Sequence, residues 1–262
     1  MYSILEHYLS TNHILMIGMI VTFILTFFLL EHPFSFLPSD QGRAFAVNGS
    51  LSKGKLRGVG FIFVLCFLIS SVLFLPIDVE YVIYAILLFA MMISGYLDDA
   101  SKTPWNEYKK GLIDLVISVV AVLTYMNFNS TTICFGADEI VIPKALFLIL
   151  GVILIWVSVN VTNCTDGVDG LCASLCSVTL LAFGVLFAPI LQKYAMANFL
   201  FLSVLFAYLY FNSSPSSMLM GDAGSRALGF YIAVIALKST HPFIYILLAA
   251  VMIVDGGIGL VK

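Results

Sequence analysis

The chain has 262 residues, 61% of them apolar and only 10% charged, with a net charge of −3. A soluble domain of that length needs far more charge to keep its surface wet, so the composition excludes an ordinary water-soluble enzyme. It also gives no reason to expect nucleic acid as a partner.

The apolar residues come in blocks of roughly 20, the length a helix needs to cross the hydrocarbon layer. Backbone polar groups must be satisfied inside that layer, which makes helices the expected element. In chain order the blocks run 13–30, 58–76, 80–97, 111–126, 143–160, 169–188, 196–211, 226–238 and 242–261. They predict an all-α, polytopic transmembrane helical bundle of nine spans, organised as a single domain over 1–262. The fourth and eighth blocks are each shorter than the ideal span. The first carries Glu6 and His7 where a signal peptide would carry Lys or Arg, and Glu31-His32-Pro33 follows it instead of a cleavage pattern of small residues. It reads as a retained span. The five cysteines form no CxxC pair, and Cys172 and Cys176, one helical turn apart, have no His close by in sequence. Buried thiols are expected of them, not a metal site.

Alternating spans divide the connections into two sets. One holds 31–57, 98–110, 161–168, 212–225 and Lys262; the other holds the N-terminus and the loops near 77–79, 127–142, 189–195 and 239–241. Nine of the twelve Lys and Arg lie in or beside the first set: Arg43, Lys53, Lys55, Arg57, Lys102, Lys109, Lys110, Arg226 and Lys262. Lys144, Lys193 and Lys238 go with the second. The positive-inside rule therefore predicts a cytoplasmic first set and an external N-terminus. Sorting by charge also gathers Asp98, Asp99, Asp166, Asp169 and Asp222 on that same face.

A single Asp at a span end is ordinarily a cap or a solvated charge. Here Asp98 and Asp99 are adjacent, with Lys102 and Lys109-Lys110 following, and the other acids stand in glycine-punctuated segments, Asn163-Cys164-Thr165-Asp166-Gly167-Val168-Asp169-Gly170-Leu171 and Met220-Gly221-Asp222-Ala223-Gly224-Ser225. Glycine lets backbone N–H groups approach a ligand, and a helix start beyond it favours phosphate. Clustered carboxylates repel unless a cation intervenes, and an all-oxygen set beside a phosphate-friendly loop suits Mg²⁺. These residues point to phosphoryl chemistry at the inner membrane face. They do not name a substrate.

Thr162 to Leu171 resembles the TN-x-TDG-x-DGL signature of the polyprenyl-phosphate N-acetylhexosamine-1-phosphate transferases. Gly95-Tyr96-Leu97-Asp98-Asp99 is similar to that family's GxxDD, and Met220 to Ser225 to its MGD-x-GS. Within the family, Leu37-Pro38-Ser39-Asp40-Gln41-Gly42-Arg43 and the segment Val254 to Lys262 look most like the branch that uses UDP-MurNAc-pentapeptide as donor. The resemblance covers roughly residue 35 to the end. It implies a bacterial plasma-membrane enzyme of peptidoglycan synthesis that passes phospho-MurNAc-pentapeptide to undecaprenyl phosphate, giving lipid I and UMP. A homodimer is typical of the branch.

Carried onto matching positions, Asp98 and Asp99 serve the acceptor phosphate, with Asp98 the candidate base. Asp222 binds Mg²⁺ or acts as a nucleophile, and Asp98 and Asp99 are further candidate metal ligands. Asn163, Asp166, Gly167, Val168, Asp169 and Asn212 line the uridine diphosphate site; Lys102 and Lys110 are phosphate partners. The family's TPTMGG segment is represented by Lys55-Leu56-Arg57-Gly58-Val59-Gly60, so Lys53 or Lys55 is left as the nucleotide-side lysine. Leu219 stands where an aromatic usually stacks on uracil. The family pattern also continues past Lys262 into a histidine-bearing cytoplasmic loop and a tenth span, which makes an inactive fragment one alternative. His7, His13, His32 and His241 match no family motif. Two more alternatives stand: a GlcNAc-1-phosphate transferase of the same family, and a transporter with the acids as a cation path, for which acids near the bilayer midplane are expected, whereas the main group lies at span ends and Asp114 and Asp255 in the turns closest to the inner face.

Overall fold

The structure is a computed structural model that describes residues 1–262 apart from 33, 41, 43–51, 102, 104, 137 and 262, and apart from the side chains of 259–261. Its helices are α1 (Tyr2–Leu5), α2 (Thr11–Glu31), α3 (Gly60–Phe74), α4 (Val79–Asp99), α5 (Glu107–Phe128), α6 (Lys144–Thr165), α7 (Leu171–Leu186), α8 (Ala188–Leu191), α9 (Lys193–Asn212), α10 (Gly221–Lys238), α11 (Pro242–Leu248) and α12 (Ala250–Val261). Five of them, α2, α4, α5, α6 and α9, are long and apolar enough to cross a membrane. Their outward faces carry residues such as Met16, Ile20, Phe28, Ile86, Leu112, Val116, Ile149, Ile153 and Phe206. An apolar surface that continuous needs lipid against it. The chain is a multi-pass membrane protein.

Several helix starts are fixed by side-chain caps. Ser10, Asp78 and Asn106 accept from the backbone N–H groups of His13, Tyr81 and Lys109 and open α2, α4 and α5. Each predicted block has a helix, but several boundaries move, and three of the changes shape the site. Helix α4 runs on through Asp99, so the acid pair forms its last turn. Helix α5 starts at Glu107, which puts Lys110 on the helix. Helix α10 starts at Gly221, so Asp222 lies in its first turn and Arg226 in its second; a block of apolar residues cannot reveal a helix that opens on Gly, Asp, Ser and Arg. The ninth block is broken at Ala249, with no proline or glycine there to account for it. A two-stranded antiparallel hairpin, β1 (Thr132–Phe135) with β2 (Asp138–Val141), occupies the connection read as a plain loop, pairing Ile133 with Ile140.

Helix α10 is the axis of the bundle. Every residue from Gly221 to Leu237 is buried, chiefly against α3, α4 and α6. The backbones cross in direct contact: a Cβ on Gly60 of α3 would sit 2.1 Å from the Gly224 nitrogen. Farther along, Phe67, Phe201 and Tyr231 stack as a cluster, with the Phe67 and Phe201 centroids 4.2 Å apart.

Polar groups gather at both ends of this axis. At the far end, Lys238 donates to both oxygens of Glu80 at 3.0 Å and to Asn129 at 2.7 Å, and Lys193 pairs with Asp78. At the other end lie the residues of the candidate site. The two sets of connections therefore do sit at opposite ends of the bundle. Cys172 and Cys176 are buried, the first donating to the Thr162 carbonyl and the second touching Met252 sulfur.

Candidate active site

The last turn of α4, the first turns of α5 and α10, and the 52–60 segment meet at one point. What permits this is close helix crossing. A Cβ on Gly95 would lie 2.3 Å from the Asp222 carbonyl oxygen, so α4 can touch the start of α10 only with glycine there. Gly221 has a φ of +67°, and a Cβ on it would fall 2.3 Å from the Asp99 carboxylate. The glycines of GxxDD and MGD thus bring the acids together.

The 52–60 segment is laced to the loop before α10. Leu219 N–H donates to the Leu56 carbonyl at 2.8 Å, and Val59 and Gly60 N–H groups donate to the Leu219 and Met220 carbonyls at 3.2 and 3.0 Å. That lacing delivers Arg57 into the acid cluster. Its Nε lies 2.8 Å from Asp99 Oδ1, one Nη 3.3 Å from Asp222 Oδ1 and the other 3.5 Å from Asp40 Oδ1. Burial works to lower the Arg57 pKa, but Asp99, Asp222, Asp40 and Asp166 outweigh it and hold the guanidinium above its usual range.

Lys110 is the second cation. Its ammonium lies 2.6 Å from Asp98 Oδ2 and 3.3 Å from Asp222 Oδ2, with Glu107 at 3.9 Å. The other Asp98 oxygen accepts the Trp105 N–H at 2.7 Å, and Asp99 accepts the Ala223 N–H at 3.1 Å. Asp98, Asp99, Asp222 and Lys110 are therefore one cluster. Leaving aside the exposed Glu107, four carboxylates, counting Asp40, surround two cations, so the acids formally outnumber the cations by two. That surplus and the all-oxygen donor set fit a divalent cation such as Mg²⁺. Among the described residues, however, no three carboxylate, His or Cys side chains are already gathered as a metal cage.

Beside this cluster lies a second polar wall, joined by hydrogen bonds. Asp169 accepts from the Ser216 N–H at 2.9 Å and the Ser216 hydroxyl at 2.8 Å, and Lys55 Nζ reaches Ser216 Oγ at 2.8 Å and Asp169 at 3.8 Å. Asn163 and Asp166 are half-buried in the last turn and C-cap of α6, and Gly167 is also half-buried; Val168 is exposed beyond them. Asn212 does something that sequence did not suggest. It accepts the Gly170 N–H at 3.0 Å and donates to the Met218 carbonyl at 2.9 Å, clamping the two glycine-punctuated segments together. Leu219 is buried, so its side chain belongs to the wall.

Of the two lysines weighed for the nucleotide side, Lys55 is engaged in this wall while Lys53 is exposed. Lys102 and Arg43 lie outside the described residues. Arg57 was counted among the loop cations but not placed in the site, because its segment departs from the family pattern. The usable signal was electrostatic: that many converging acids require a cation, and Arg57 stands next to the turn at Gly58. His32 hydrogen-bonds its own helix at the Phe28 carbonyl, and His241 bonds to Ser239 at the far end.

A multi-pass bundle with a charged, partly buried cluster at one end of its helices suits an integral-membrane transferase. Residues 81–240 match the family model described as glycosyl transferase family 4, and the chain belongs to that family. Similar proteins named phospho-N-acetylmuramoyl-pentapeptide-transferase come from Treponema pallidum, 35% identical over 94% of this chain and 74% of that protein. Others come from Halalkalibacterium halodurans, at 28% over 93% and 81%, and from Dictyoglomus turgidum, at 25% over 93% and 80%.

Proposed function

We propose that the chain transfers phospho-MurNAc-pentapeptide from UDP-MurNAc-pentapeptide to undecaprenyl phosphate, giving lipid I and UMP at the cytoplasmic face of the bacterial plasma membrane. The observation that carries this reading is the Asp98–Lys110–Asp222–Arg57–Asp99 cluster at the helix ends, in a chain similar to proteins of that name. An oxygen of the lipid phosphate bonds to the sugar-side phosphorus of the donor, the bridging P–O bond breaks, and UMP leaves with the electron pair.

Asp98 is the candidate base that keeps the acceptor phosphate ionised, a role supported by its position beside Lys110. Lys110 and Arg57 offset the charge of two phosphate groups brought close together, and their pairing with carboxylates keeps them aimed into the cleft. Asp222, with Asp98 and Asp99 beside it, would hold Mg²⁺. Bound there, the ion would neutralise the donor diphosphate and steady the leaving phosphate. The wall of Asp169, Ser216 and Lys55, clamped by Asn212, suits the uridine diphosphate. Asp114, weighed as part of a cation path, is instead paired with Arg226.

Purified protein is supplied with undecaprenyl phosphate, Mg²⁺ and either UDP-MurNAc-pentapeptide or UDP-GlcNAc. The expected result is lipid-linked muramoyl-pentapeptide and UMP, lost with EDTA and restored by Mg²⁺. Lipid-linked GlcNAc alone would sink this choice in favour of the other family branch.

A further inference from the structure

Below the acid cluster lies a charge pair that the proposed chemistry does not touch. Lys110 and Asp114 are one turn apart on α5, and Asp222 and Arg226 are one turn apart on α10. Residues at that spacing share a helix face. The two faces meet as a ladder with two rungs, Lys110 to Asp222 at 3.3 Å and Asp114 to Arg226 in direct contact. The sign of the charge alternates along each face. Both members of the lower rung are buried, Arg226 being 1% exposed and Asp114 2%.

Helix α5 packs mainly on α6 and α4 and touches α10 only lightly. Its attachment to the axis of the bundle is therefore carried largely by these polar side chains. Desolvating two charges is costly, and a pair whose task is only to join two helices is replaced by apolar residues at little or no loss. A charged lower rung is well suited to something else: it fixes where the first turn of α5 stands relative to α10, and so where the Lys110 ammonium can reach.

We infer that Asp114 and Arg226 are positioning residues that hold Lys110 on Asp98 and Asp222, and so keep that cation aimed into the cleft. The consequence for rate rests on the reaction proposed above. The placement of Lys110 does not.

The test uses the full chain in detergent and three measurements: thermal unfolding, competitive acetylation of Lys110 read by mass spectrometry, and steady-state transfer. Arg226→Leu alone strands a buried carboxylate and loses stability. The double variant Asp114→Leu with Arg226→Leu regains it. In that double variant the acetylation of Lys110 rises about threefold or more, since the ammonium spends less time between two carboxylates. Its kcat falls on the order of tenfold while the KM for donor stays put, because a cation used in the transition state has been misplaced. If the leucine pair does not fold, Asp114→Asn with Arg226→Gln keeps the side-chain volumes while removing the charged rung, and is expected to give the same rise in acetylation. Parent-like acetylation in a folded double variant overturns the inference whatever the rate does. A parent protein that forms no lipid-linked product with either donor overturns the proposed reaction instead, and the acetylation ratio still decides the positioning role.

Discussion

Gly95→Ala adds one methyl group at the place where α4 meets the first turn of α10. The new Cβ would stand 2.3 Å from the Asp222 carbonyl oxygen and 2.4 Å from its carbon, whereas ordinary contact begins near 3.4 Å. The atoms in the way are backbone, so the crossing itself must open by about 1 Å. Overpacking of this kind costs about 1–3 kcal/mol, and the upper end applies where no side chain can step aside. The opening also pulls Asp98 and Asp99 away from Asp222 and Lys110, and a 1 Å misplacement costs on the order of 100-fold in rate. Thermal unfolding in detergent and kcat for lipid-linked product measure the two effects on one preparation. Gly257→Ala is the control, since a Cβ there meets nothing within 4 Å. Its expected effect is none, or a slight gain from helix propensity. Parent-like stability and rate in Gly95→Ala, or equal damage in Gly257→Ala, would refute the claim that glycine contact assembles the acids.

Arg57→Gln removes the cation that Asp40, Asp99 and Asp222 share, and an activity loss on the order of 100-fold is expected in the transfer assay. Asn212→Ala strands the Gly170 N–H and the Met218 carbonyl. Each orphaned buried group costs about 1–3 kcal/mol, so titration with donor should show a raised KM with kcat less affected. Lys238→Met leaves Glu80 buried and without its cation at the far end of α10. It should lower unfolding stability by about 3–5 kcal/mol while per-molecule kcat, measured below the unfolding range, stays at the parent value.

The helices were legible because lipid imposes a length and a composition, and α2, α4, α5, α6 and α9 meet both. Helix α10 was shortened from sequence because it opens on Gly221, Asp222, Gly224 and Ser225. It is shielded by other helices, so its residues answer to its neighbours instead of to lipid. The gathering of Asp98, Asp99, Asp166, Asp169 and Asp222 at one end was readable from the distribution of Lys and Arg. What could not be read was which group each polar side chain would meet. Arg57 and Asn212 owe their roles to hydrogen bonds between segments about 160 and 40 residues apart, and no local pattern encodes such pairings. The Asp114–Arg226 rung was hidden for the same reason, with Arg226 standing near enough to a loop to pass for one of its cations.

The burial of α10 bears on how the protein enters the bilayer. A segment with Asp222, Arg226 and Lys238 in 18 residues is a poorer candidate for insertion on its own than its apolar neighbours, since charge opposes entry into the hydrocarbon. Its partners on α3, α4, α5 and α6 all precede it in the chain. During synthesis they are in place before α10 emerges, and the glycine surfaces of α3 and α4, the Asp114 carboxylate and the Glu80 carboxylate offer a niche already matched to it. The helix that organises the site is thereby the one most dependent on earlier helices for admission to the membrane.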